Sequence, residues 1–240
     1  KALGYFERQK KTLAALGMTH SSDYSNSLNN LAYLYLQEGN YGAAGINADE
    51  LVRNDRKIFK PADSEFVSSV LSASDIYIQL DRLKDAENLL QSTLKSQEKN
   101  TGLRGQLLNK LGDLYSYRGE YSRATNALSE ALDVHMEDAG EESAEYITAA
   151  INMGVLYMNQ GKYPEAQEIF EVALTKLDPS ESAYVSVLNN QALVLQSLGQ
   201  LESAEKTLLM IKKIDSLEVG TSHPDFAITL SNLGLVHADL

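Results

Sequence analysis

The sequence predicts an all-α chain, an α-solenoid of stacked antiparallel helix pairs, and three observations predict it. A small residue recurs at Ala32, Ser74, Gly112, Gly154, Ala192 and Gly234, at spacings of 42, 38, 42, 38 and 42 residues. Apolar and aromatic residues flank it at helical spacings. A glycine then follows in most repeats, at Gly39, Gly119, Gly161 and Gly199, with Asp81 in its place once. A fixed period in this range, with one helix pair per period, is the mark of a stacked repeat array.

The first helix of each repeat carries an apolar residue four before the small one: Leu28, Val70, Leu108, Ala150, Leu188 and Leu230. Three residues after it come Tyr35, Tyr77, Tyr115, Tyr157, Leu195 and His237. Spacings of three and four place all of these on one helical stripe. The small residue lets a neighbouring helix approach, the aromatic fills the space beside it, and the six small positions are expected to be buried. Where the helix must stop, glycine accepts the left-handed conformation of a C-terminus at little cost. Tyr41, Leu83, Tyr121, Tyr163 and Leu201 then begin the second helix. Its packing stripe continues with Ala44, Ala86, Ala124, Ala166 and Ala204, then Ala48, Leu90, Leu128, Phe170 and Leu208. Extending the period back by 42 from Ala44 reaches Ala2, so the chain starts inside the second helix of an earlier repeat. Twelve helices are predicted over residues 1–240 as a single solenoid. The repeats are placed at about 21–62, 63–100, 101–142, 143–180 and 181–222, with partial repeats at 1–20 and 223–240.

The alternation of 42 and 38 has a local correlate. Repeats reached by the longer step open on an acid and an aromatic: Asp23-Tyr24, Glu65-Phe66, Glu145-Tyr146 and Asp225-Phe226. The extra four residues are expected to lengthen the linker between repeats and let the aromatic pack on the preceding second helix. An acid in a first turn also favours the helix dipole. Ser222 with Asp225, and Asp178-Pro179 with Glu181, read as capping boxes, the second with proline at the first helical position. The four prolines (Pro61, Pro164, Pro179, Pro224) fall in linkers or first turns.

Composition narrows the function classes. A net charge of −12 argues against nucleic acid and against an anionic membrane surface, both of which need clustered Lys and Arg. With no cysteine there is no disulfide, thiolate metal site or cysteine nucleophile. No apolar run reaches the roughly 18 to 20 residues that span a bilayer, and Lys1 to Lys11 is charged where a signal peptide would be apolar. A cytoplasmic chain is the expectation. There is no Gly-rich phosphate loop, no HExxH and no Gly-x-Ser-x-Gly elbow. The four histidines (His20, His135, His223, His237) are far apart, His20 and His223 at equivalent linker positions that suit caps or turns. Glu141, Glu142 and Glu145 read as a solvated acidic linker. The chain is therefore expected to be no enzyme and to need no cofactor or metal.

The pattern resembles the tetratricopeptide repeat over essentially the whole chain. Its longer repeat, and phrases such as Ser27-Leu28-Asn29-Asn30-Leu31-Ala32 and His223-Pro224-Asp225-Phe226-Ala227, resemble the kinesin-light-chain-like subtype. The resemblance implies a right-handed superhelix with first helices lining a concave groove, and it implies peptide or protein binding. Ser74 following Ala73, Gln191 at a usually apolar site and Asp81 in place of glycine depart from the family pattern.

Two residues before each small position stand Asn30, Ser72, Lys110, Asn152, Asn190 and Asn232, with Asn29, Asn109 and Asn189 just before three of them. These positions point away from the second helix. An amide offers both donor and acceptor, so a ladder of them suits the main chain of an extended peptide. The resemblance assigns ligand-backbone contact to Asn30, Asn152, Asn190 and Asn232, with Lys110 a variation on it. The alternative is that the amides bond between neighbouring first helices and orient the stack. Adjacent inward positions (Tyr33, Asp75, Asp113, Tyr117, Met158, Asn159, Gln196) give the groove aromatic and acidic character. A basic or amphipathic protein or peptide ligand is the expectation. Both ends fall in mid-repeat, so a segment of a longer chain is expected. A sensor array controlling a fused protease or DNA-binding module, and self-association through uncapped ends, are the competing readings.

Overall fold

In the computed structural model, which describes residues 1–97, 101–218 and 224–239, the period of the sequence appears as helices and nothing else regular. Helices α1 (Ala2–Ala15), α2 (Ser22–Gln37), α3 (Tyr41–Ile58), α4 (Ser64–Gln79), α5 (Leu83–Leu94) and α6 (Gly102–Tyr117) belong to one compact unit, Lys1–Gly119. Helices α7 (Tyr121–Ala139), α8 (Ala144–Asn159), α9 (Tyr163–Lys176), α10 (Ser182–Ser197), α11 (Leu201–Glu218) and α12 (Pro224–Asp239) belong to the second, Glu120–Leu240. All five second helices begin on the expected residue. Within each unit consecutive helices pack on one another, and first helices also approach first helices: α2 with α4, α4 with α6, α8 with α10. This is an α-solenoid arrangement.

The stops are local. Gly39, Gly161 and Gly199 have φ of 74°, 72° and 71°, and Asp81 takes the same left-handed turn at 58°. After each, the next amide reaches back five residues: Asn40 to the Tyr35 carbonyl, Arg82 to Tyr77, Lys162 to Tyr157 and Gln200 to Leu195, at 2.8 to 2.9 Å. That is the Schellman closure, which satisfies carbonyls the helix leaves open. A Cβ on Gly161 would meet no atom within 4 Å, so a side chain there is opposed by conformation alone. Gly161→Ala is therefore expected to lose about 1 kcal/mol of stability, and Asp81→Gly to change it by less than about 0.5 kcal/mol. Urea melts of both variants check this; equal losses would remove the capping role.

Packing follows the stripe for five of the six repeats. Ala32, Ser74 and Ala192 are 0–2% exposed, and Gly112 and Gly154 are buried. At Gly154 the backbone comes so close that a Cβ would lie 2.7 Å from Cε1 of the fully buried Phe170. The last repeat differs. Gly234 is exposed with nothing near it, and Leu230 and His237 are 43% and 58% exposed, because no described helix covers that face of α12.

The stripe tyrosines do more than fill space. Their hydroxyls donate to the second helix of the preceding repeat: Tyr35 to Glu7 at 2.5 Å and Tyr77 to Asp49 at 2.7 Å, while Tyr115 bonds to both Glu87 and Gln91. Arg82 closes the second of these latches, with Asp49 at 3.0 Å and its guanidinium 4.3 Å from the Tyr77 ring centre. In the second unit His237 stands 2.9 Å from Glu205 in the same place.

Among the described residues the expected long linker is absent. The extra four residues lengthen the second helix by a turn: α3, α7 and α11 have 18, 19 and 18 residues, against 12 and 14 in α5 and α9. Helical residues can bury polar groups against two neighbours without leaving backbone unsatisfied, which an irregular linker cannot. Tyr24 and Phe66 are buried as expected, Tyr24 against Leu13 of the preceding second helix. Glu145 lies in the first turn of α8 rather than in a linker, and Glu142 pairs with Lys176 at 2.6 Å. The Asp178–Glu181 pair closes a turn before α10, which starts only at Ser182, so Pro179 is not at a first helical position. Side-chain caps come instead from Ser21, Asn40, Thr101 and Ser143. The Ser222–Asp225 box and His223 lie outside the described residues or their described side chains.

Candidate peptide-binding face

Each unit presents a face made by its first helices, and the candidate residues lie there. In the first unit, Asn30 is exposed on α2 and its amide donates to the Asn26 carbonyl of its own helix at 2.8 Å. Its Oδ1 is what it offers outward. Asn29 is half-buried, its Oδ1 sealed from solvent with no hydrogen-bond partner. Asn109 and Lys110 are half-buried on α6. In the second unit, Asn152 on α8, Asn189 and Asn190 on α10 and Asn232 on α12 are all half-buried. Asn189 repeats the behaviour of Asn30, donating to the Val185 carbonyl of its own helix at 3.1 Å. Neither Asn30 nor Asn189 bonds across to a neighbouring first helix.

Lys110 is not a free cation. Its ammonium lies 2.8 Å from Asp75 on α4 and 3.6 Å from Asp113 one turn along α6. Burial acts to lower the Lys110 pKa, but Asp75 and Asp113 outweigh it and the net shift is upward. The trio is left with one excess negative charge. Tyr33 of α2 adjoins it, and burial, then the Asp75 carboxylate, raises the phenol pKa. A polar seam thus runs from α2 through α4 to α6.

Within it, desolvation by burial pushes the Asp113 carboxyl up to about 6, although Lys110 works to lower it. A carboxyl raised on folding binds more protons folded than unfolded between about pH 4 and 6. Its contribution to stability therefore falls as pH rises through that window and is unfavourable above it. Asp113→Asn should flatten this slope, leaving the variant at least as stable as the parent at pH 7 and the two closest near pH 4. With 38% of the side chain exposed, the gain stays below about 1 kcal/mol. Thermal melts from pH 4 to 7 measure it (about three units, where the linkage slope is read); a variant uniformly less stable would contradict the shift.

A second feature went unread in the sequence. The extra turn of α3 carries Asn54 and Asp55, 6% and 1% exposed. Asp55 accepts hydrogen bonds from Ser25 of α2 and, at 2.5 Å, from Ser69 of α4. Asn54 donates to Ser25 at 3.1 Å, and His20 Nδ1 stands 3.1 Å from Asn54 Oδ1, tying down the turn before α2. The equivalent residue of α11, Asp215, accepts from Thr229 of α12 at 2.7 Å. The one signal for this was an acid followed fourteen residues later by a hydroxyl, in two of the longer repeats. Among the described residues no group of His, Asp or Glu could hold a metal, and no helix is long and apolar enough to cross a membrane.

Comparison with known proteins agrees with this geometry. The tetratricopeptide repeat profile matches residues 103–177. Protein KINESIN LIGHT CHAIN-RELATED 2 of Arabidopsis thaliana is 25% identical over 241 residues, covering 94% of this chain and 34% of its own length. Protein KINESIN LIGHT CHAIN-RELATED 1 of the same plant is 28% identical over 177 residues, 72% of this chain and 28% of its own. The chain thus spans about a third of the length of the curated relatives it matches. Among solved structures, BtubC (BKLC) from P. vanneervenii superposes with a TM-score of 0.72 at 20% identity, over 93% of this chain and 92% of that one. Yeast Tom70 does so with a TM-score of 0.68 at 13% identity, over 98% of this chain and 43% of its own. Helix pairs, repeat positions and likeness all coincide: a tetratricopeptide repeat profile matches part of the chain, and the whole is similar to tetratricopeptide-repeat arrays of the kinesin-light-chain-related type.

Proposed function

We infer that the chain is a protein-interaction scaffold rather than a catalyst, and that the first-helix faces hold an extended peptide of basic or amphipathic character. The observation that carries this is the hydrogen-bonding polarity of the face. Asn30 and Asn189 return their amide donors to their own helices, and the Lys110–Asp75–Asp113 trio keeps one excess negative charge. What such a face offers a ligand is mostly acceptors and negative charge. Peptide N–H groups and cationic side chains match it, and acidic peptides do not. Asn30, Asn152, Asn190 and Asn232 are the proposed backbone contacts, with Asn29, Asn109, Asn189 and Lys110 beside them.

A panel of fluorescent basic, acidic and amphipathic peptides, titrated by anisotropy at low and high salt, tests the inference. Basic peptides should bind and weaken as salt rises; preference for acidic peptides would overturn it. Replacing Asn152 and Asn190 together by alanine should weaken binding about tenfold while stability changes by less than about 1 kcal/mol. A large drop in melting temperature would instead assign those amides to holding the stack together.

A further inference from the structure

A pocket of about 390 Å³ opens between α2, α3 and α4 in the first unit, with Asp55 and Asn29 in its wall. Ser25, Ser69, Ser72 and Glu65 also line it. Where the protons lie decides what it can hold. A serine hydroxyl has one proton and two lone pairs. Ser25 and Ser69 both direct their protons to the Asp55 carboxylate, which is 1% exposed. Ser25 Oγ also accepts from Asn54, so the lone pairs left toward the pocket are chiefly those of Ser69. Glu65, exposed in the first turn of α4, adds a carboxylate, while the unpartnered Oδ1 of Asn29 lies sealed beneath the wall. No Lys, Arg or His among the described residues pairs with Asp55, whose charge is met by hydrogen bonds alone. Burying a carboxylate without a counter-charge is unfavourable, and a cation in the pocket would offset part of that cost.

We propose that this pocket takes the lysine or arginine side chain of a peptide lying on the first-helix face. An ammonium or guanidinium is all donors and matches the carboxylates and hydroxyl oxygens of this wall. A carboxylate would meet only lone pairs and negative charge. An apolar side chain could pack on Leu51 and Phe59 but would cut the polar groups of the wall off from water. Position agrees with chemistry, since Ser72 in the pocket wall holds on α4 the repeat position that Asn30 holds on α2. A main chain passing Asn30 and Ser72 runs past the opening. The proposal rests on the peptide-binding reading above and names the side chain that the first unit selects.

The test uses probes too short to span the asparagines. Acetyl-Gly-Arg-Gly-amide and its Lys, Leu and Glu counterparts, and methylguanidinium chloride, are titrated into the isotopically labelled 240-residue chain while amide shifts are followed. The arginine or lysine peptide is expected to move the signals of Ser25, Asn29 and Ser69, and the leucine and glutamate peptides are not. Ser72→Leu, which fills the opening, and Glu65→Gln, which removes a carboxylate from the wall, should each weaken the effect about tenfold with the helical signal unchanged. Absence of shifts with both cationic peptides, equal shifts with the leucine or glutamate peptide, or indifference to both variants overturns the proposal. Binding of methylguanidinium but of neither cationic peptide overturns it too, since the site would then serve a free small cation. If long basic peptides bind the face while the tripeptides leave the pocket untouched, only the subsite falls. If the arginine peptide enters the pocket while no long peptide binds, the subsite stands and the extended-peptide reading falls.

Discussion

Phe170→Ala is expected to cost about 3 to 5 kcal/mol, the largest effect of any single truncation in the second unit. Phe170 is fully buried in a cluster with Ile147, Ala166 and Val187, so its removal leaves a cavity that helices fixed at both ends cannot close. Its ring also lies against Gly154, where an added Cβ would sit 2.7 Å from Cε1 and 3.2 Å from the Cγ2 of Ile169. Gly154→Ala forces the ring aside and should cost about 1 to 3 kcal/mol despite alanine's better helix propensity. Shortening the ring relieves the clash. Gly154→Ala with Phe170→Leu should therefore be less destabilised than the sum of the two singles, by about 0.5 to 3 kcal/mol. Urea denaturation of the four chains measures the coupling, and hydrogen exchange in α8 and α9 localises it, since repeat arrays lose structure locally. Strict additivity would show that the close approach at Gly154 does not govern the packing.

Asp55→Ala should cost about 3 kcal/mol, because it removes the common acceptor of a buried hydroxyl, Ser25, and a half-buried one, Ser69. Ser25 and Asn54 are each only 6% exposed. Asp55→Asn keeps the shape and one acceptor oxygen, and should cost about half as much. Asp85→Ala is the control. Asp85 also bonds to a partner, Arg82 at 2.7 Å, but is 52% exposed, and its loss should change stability by less than about 1 kcal/mol. Thermal melts of the three variants rank them. An Asp55→Ala chain as stable as Asp85→Ala would mean that the extra turn of α3 carries no structural load.

The same comparison shows how far the sequence could be read. The five second-helix starts and the stops at Gly39, Gly161 and Gly199 were legible because each depends on a few contiguous residues. Even Asp81 was legible as a stop, since aspartate tolerates the left-handed turn better than most residues. The longer repeat was legible as a number but not as a structure. Four additional residues lengthen a linker or a helix equally well on paper, and burial of Asn54 and Asp55 between α2 and α4 favours the helix. The asparagine ladder was legible as a position. What its amides bond to was not, because Asn30 and Asn189 satisfy their donors one turn back along their own helices. Lys110 stood out as a cation, yet its charge belongs to Asp75, 35 residues away in sequence.

By itself, then, the sequence determined the periodicity, the helix pairs and which residues share a face, all set by backbone geometry within a turn or two. Only the tertiary structure decided which groups meet across repeats. Tyr35 reaches Glu7 and Tyr77 reaches Asp49, each across 28 residues, and Ser25 reaches Asp55 across 30. Stacking turns such separations into contact distances. It also brings Ser25 and Ser69 to one buried carboxylate, Asp55, beside the α2–α3–α4 pocket.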